Sequence, residues 1–101
     1  MDYKEALKLL WNVDAGVAFH FCNGKSARSL KELLAGIKTL NEEQYQHHVY
    51  FDHNDFSNWL FDIIGDDKLG RDLFNAKKKN AIALLKARIS YLEEHAKRFK
   101  K

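Results

Sequence analysis

A mainly α-helical bundle of five or six helices, with one short strand or hairpin near residues 17–28, is the fold this sequence predicts. Three observations point to it. The 101 residues contain no proline and only five glycines, too little turn chemistry for a β-sandwich. Apolar side chains recur at three- and four-residue spacing along most of the chain, the rhythm of helices with one buried face. Residues of hydrophobic type make up 46% of the chain and aromatics 13%. That supports one core, whereas a disordered chain is far poorer in both. A chain this short has no room for a second core, so residues 1–101 are expected to form a single domain.

Tyr3, Ala6, Leu7, Leu10 and Trp11 define the first helix, which starts at Asp2 as N-cap and ends before Gly16. Val17, Phe19 and Phe21 then alternate with Ala18, His20 and Cys22, the period of a strand, and Asn23-Gly24 signals a tight turn. Ser29 and Glu32 have the spacing of a capping box, followed by the stripe Leu30, Leu33, Leu34 and Ile37. Asn41 caps a third helix whose inner face carries Tyr45, His48 and Val49. A polar break at Asp52–Asp55 precedes Phe56, Trp59, Leu60, Ile63 and Ile64, and Gly65 provides the left-handed stop. Asp66 caps a short helix through Leu69 and Leu73.

The final helix carries Ile82, Leu85, Ile89, Leu92, Ala96 and Phe99 in a heptad-like rhythm. Ala81, Leu84, Ala87 and Tyr91 widen its apolar face, which suits docking onto a core better than a two-stranded coiled coil. Glu93 with Lys97, and Glu94 with Arg98, have the spacing of stabilising helical ion pairs. The expected core is Phe19, Phe21, Leu34, Phe56, Trp59, Ile63, Leu85, Ile89 and Leu92.

The charge is divided along the chain. Residues 75–101 hold nine basic side chains against Glu93 and Glu94, whereas residues 1–74 hold eight basic and twelve acidic ones. Such a division fits either an anionic partner for the basic end or a basic helix lying on an acidic body. The candidate phosphate-contacting residues are Lys77, Lys78, Lys79, Lys86, Arg88, Lys97, Arg98, Lys100 and Lys101. On a helix Lys77, Lys78 and Lys79 would spread over roughly 200° of arc, which weakens the pattern.

The remaining chemistry is sparse. His47, His48, Asp52, His53, Asn54 and Asp55 form the densest polar cluster. Imidazole and carboxylate are metal ligands, yet adjacent histidines on a helix point about 100° apart, and capping explains the cluster better. Cys22 with His20 is the closest thiol–imidazole combination, but an oxyanion pocket is not in view. Asn23-Gly24-Lys25-Ser26 lacks the first glycine of a phosphate loop. No catalytic residue, cofactor, metal or small-molecule substrate is expected, and a single cysteine leaves no intramolecular disulfide. No apolar run reaches the roughly 20 residues of a membrane span, and no signal peptide is apparent, so the expected compartment is the cytoplasm.

His48-Val49, Asn54-Asp55-Phe56-Ser57-Asn58-Trp59-Leu60 and Asp62-Ile63-Ile64-Gly65-Asp66, with Leu69 beyond, occur together with Phe19, Phe21, Gly24 and Leu30–Leu34 upstream. This set resembles a small helical domain family of archaea and bacteria that carries no assigned activity. The resemblance covers about residues 17–74 and leaves residues 75–101 as a long basic helix beside that core. It implies a module placed next to other segments, hence an adaptor rather than an enzyme. Read from the residues alone, the same motif is explained by caps and core: Asn54 or Asp55 as cap, Phe56 and Trp59 as anchors. The expected function is therefore a non-enzymatic interaction module that binds a protein partner or itself through the C-terminal helix and nearby aromatics. The alternative is a small nucleic-acid-binding protein that uses its basic end.

Overall fold

The structure, a computed structural model, describes residues 1–97. Helix α1 spans Tyr3–Leu10, and a single 3-10 turn, Ala15–Val17, leads into β1, Phe19–His20. Then come β2 (Ser26–Ala27), α2 (Leu30–Lys38), α3 (Glu42–His48), β3 (Val49–Tyr50) and β4 (His53–Asn54). Helix α4 (Asp55–Trp59) continues directly into a π-helical turn, Leu60–Ile64, and α5 (Asp67–Leu73) and α6 (Lys78–Lys97) complete the described chain. The fold is mainly helical, as the periodicity predicts.

Local chemistry starts and stops these elements. Asp2 accepts the amide of Glu5, Asn54 that of Ser57 and Asp66 that of Leu69, each satisfying an orphan donor of a first helical turn. Asn41 and Gln44 form a reciprocal capping box. Ser29 accepts the Glu32 amide, but Glu32 reaches past the cap to the amide of Arg28. Gly65 adopts φ 86°, and its amide and that of Asp66 both donate to the Leu60 carbonyl. The Gly65 bond, spanning five residues, is the π turn itself, and the Asp66 bond spans six.

One core joins all six helices. Phe19, Phe21, Phe56, Trp59, Leu85, Ile89 and Leu92 are buried, and Leu30, Leu33, Ile37, Tyr45 and Leu60 fill the space between them. Leu34 and Ile63 lie at the margin instead, only partly buried. Helix α2 centres its inner face on Leu30, Leu33 and Ile37, which leaves Leu34 on its shoulder. The wide π turn swings Ile63 away from the direction of Leu60 and leaves Ile64 inside.

The largest departure is at α1. Its buried residues are Ala6 and Leu9, while Leu7 is 40% and Trp11 71% exposed. The chain turns extended at Trp11, which has ψ 156°, so the indole is carried outward rather than under the helix. Val17 falls in the 3-10 turn and is exposed, and its carbonyl accepts the Trp59 indole N–H at 2.8 Å. A second hairpin, β3–β4, replaces the polar break expected at Asp52–Asp55. Helix α6 docks along α1 and α2 through Ala81, Leu85, Ile89 and Leu92. Glu93 pairs with Lys31 of α2 at 2.7 Å rather than with Lys97. Phe99 and the Glu94–Arg98 pair fall on or reach residues outside the described chain.

Candidate functional site

The histidine cluster closes on itself. His48 is buried at the end of α3, its Nε2 accepting the backbone N–H of Cys22 at 3.0 Å. That acceptor role puts the proton on Nδ1, which donates to Asp55 Oδ2 at 3.0 Å. His53 Nε2 lies 2.6 Å from the other Asp55 oxygen. The imidazole thus meets the amide of Cys22 and not its sulfur, which is exposed and 3.7 Å from the Gln44 carbonyl. His48 is a strut that ties the β1–β2 turn to α4. Among the described residues, no group of three His, Cys, Asp or Glu side chains is placed to hold a metal ion.

The basic residues divide between structure and surface. Arg88 donates from Nε to Asp66 Oδ2 at 2.8 Å and from Nη2 to Oδ1 at 2.9 Å. Its guanidinium is therefore committed to a nearly buried carboxylate, which removes it from the set of candidate phosphate contacts. Lys77, Lys79, Lys86 and Lys97 are exposed and Lys78 is half-buried. Lys79, Lys86 and Lys97 stand seven and eleven residues apart on one helix, spacings that return to nearly the same face. Arg98, Lys100 and Lys101 lie outside the described residues.

A different surface gathers what is left unsatisfied. Beside the exposed Trp11, a groove of about 370 Å³ runs between α1 and the π turn. Leu7, Trp11 and Val13 form one wall, Ile63 and Ile64 the other, and Lys4 and Lys8 the charged rim. None of the residues lining it is acidic. Leu7 continues the apolar surface toward Leu10 and Ala96, where Glu93 and Lys97 edge a second shallow hollow. Tryptophan is enriched among the side chains that carry binding energy in interfaces, since its large apolar body gains from leaving water.

No family model, curated protein or solved structure matches this chain.

Sequence reasoning counted Leu7 and Trp11 in the apolar stripe of the first helix because they fit the helical spacing. The signal against them was present in Lys4 and Lys8. These flank Leu7 at i−3 and i+1, so a face centred on Leu7 has to carry lysine with it, whereas one centred on Ala6 and Leu9 does not. The π turn that shapes the opposite wall has no comparable signature in composition or spacing.

Proposed function

We propose that this protein is a non-enzymatic interaction module whose binding surface is the groove between α1 and the π turn. The observation that carries the reading is the largely exposed Trp11 beside Leu7 and Ile63 in a concave apolar site rimmed by lysines. π turns inside helices occur frequently at functional sites, and here one shapes a wall of the groove. The centre of the apolar face of α6, Ala81, Leu85, Ile89 and Leu92, is taken up by the core and only its edge at Ala87 and Tyr91 stays exposed, so the reading moves from the C-terminal helix, where the sequence suggested it, to α1. Membership of the family that the Asn54–Asp66 stretch resembles belongs to the same proposal and contributes an architecture rather than an activity.

The test is selection from a displayed peptide library against the wild type and a Trp11→Ala variant. Peptides that join an aromatic or aliphatic residue to a carboxylate are expected to enrich on the wild type and to lose at least tenfold in affinity on the variant, about 1.4 kcal/mol. Equal binding to both proteins would remove the groove from consideration.

A second reading, nucleic-acid binding by α6, draws on the stripe Lys79, Lys86 and Lys97. Of the basic side chains from Lys77 to Lys97, Arg88 is the one that forms an ion pair with an acidic residue of the body, among the described residues. The acidic body therefore does not neutralise the basic end, and its charge remains available to an anion. A log-linear fall of affinity with salt, lessened by Lys86→Glu, is the expected behaviour.

A further inference from the structure

Phe51 occupies the first position of the two-residue turn joining β3 and β4, with φ 53° and a fully exposed ring. A residue bearing a Cβ enters that left-handed region at a cost of about 1–2 kcal/mol, and hairpins of this kind place glycine there. A bulky ring held in strained backbone and surrounded by water stabilises nothing within one molecule. The same tip carries Tyr50, which is exposed and stacked on His53, and Asp52, whose carboxylate forms no hydrogen bond or ion pair among the described residues.

The groove beside Trp11 needs the converse: an apolar side chain to fill it and a carboxylate to meet Lys4 and Lys8. Among the exposed large apolar residues, Phe51 is the one that stands on a protruding turn beside an uncommitted carboxylate. Met1 also adjoins an aspartate, but Asp2 is occupied in capping α1. We infer that the groove is filled by the Tyr50–Phe51–Asp52 tip of a second copy of this chain, with Phe51 against Trp11 and Ile63 and Asp52 facing Lys4 and Lys8. The inference rests on the groove being the interaction surface, and it names the occupant.

Tip and groove are different surfaces, so the contact is heterologous. Each copy that donates its tip keeps an open groove, and association proceeds past the dimer to a ring or an open chain. One aromatic plug and one charge cluster make a small interface of the weak, transient class, so association is sought at roughly 0.1–1 mM.

Sedimentation of the full chain across that range is the experiment. The weight-average mass of the wild type is expected to rise with concentration beyond twice the monomer. Phe51→Gly (tip lost, groove intact) and Trp11→Ala (groove lost, tip intact) are each expected to stay monomeric, and their equimolar mixture to form a dimer that grows no further. Both side chains are exposed, so the variants keep the fold, which a thermal melt verifies. Lys8→Glu is expected to weaken association and Asp52→Lys on the same chain to restore it. A wild type that stays monomeric throughout, a Phe51→Gly variant that associates like the wild type, or a mixture that stays monomeric each overturns the inference. If a monomeric wild type still selects acidic aromatic peptides through Trp11, the groove stands as the interaction surface and only the second copy is removed as its occupant.

Discussion

Arg88 and Asp66 carry the highest stakes of any single pair. The Asp66 carboxylate is almost wholly buried, and it accepts the α5 cap amide from Leu69 as well as two bonds from Arg88. Removing the guanidinium leaves that charge without its counterpart, a loss typically worth about 3–5 kcal/mol. Against the usual net stability of about 5–15 kcal/mol for a domain, this is a large share. Arg88→Ala is therefore expected to lower the urea midpoint sharply, while Lys86→Ala, two residues away and exposed, shifts stability by less than about 0.5 kcal/mol. Adding Asp66→Asn to Arg88→Ala is expected to recover part of the loss, because an amide still caps α5 without a buried charge. If Arg88→Ala cost no more than Lys86→Ala, the pair would be a bystander. The sequence showed Asp66 as a cap and Arg88 as one more cation of a basic end. Their pairing spans 22 residues, and nothing in local spacing announces it.

Elements were legible where a cap and an apolar period agree. Asp2, Ser29, Asn41 and Asp66 each stand where a helix begins, and Gly65 where one ends, because capping is settled within four residues of chain. The β3–β4 hairpin was not legible, since its turn uses Phe51 in a conformation that glycine normally signals. Which face of a helix turns inward is likewise a tertiary decision, and Gly36 in α2 shows how such decisions are fixed. A Cβ built at Gly36 would lie 2.1 Å from Cζ of Phe21, so the β1–β2 turn packs its phenylalanine directly onto helix backbone. Helix propensity alone favours alanine over glycine by about 1 kcal/mol. Here the clash outweighs that gain, because the whole Phe21 ring would have to leave a buried place, and overpacking of this kind costs roughly 1–3 kcal/mol. Gly36→Ala is expected to be net destabilising, and Phe21→Leu combined with it to be less harmful than the two changes summed. A stabilised Gly36→Ala protein would show that Phe21 sits elsewhere.

At the scale of the molecule, Tyr45 closes the bundle. Its ring stacks on Phe56, 5.5 Å between centroids, and its hydroxyl donates to the Ala76 carbonyl at 2.8 Å, joining α3 to the connection between α5 and α6. Burial, with the charge of Glu42 adding to it, pushes the phenol up to about 12 from its ordinary 10. The folded state thus holds this proton more tightly than the unfolded state does. The stability it contributes is complete below pH 10 and is lost as the pH rises from 10 toward 12. Tyr45→Phe removes the hydrogen bond and leaves a partly buried carbonyl without its partner, a cost of about 1 kcal/mol or somewhat more near neutral pH. Phenylalanine has no proton to lose, so the variant escapes the alkaline penalty. Denaturant midpoints of the two proteins are therefore expected to lie well apart at pH 8 and to converge by pH 11. A gap that stays constant over that range would mean the hydroxyl reaches solvent in the folded state. The bundle would then be open along the seam between α3 and the α5–α6 connection, which a closed core shared by all six helices does not allow.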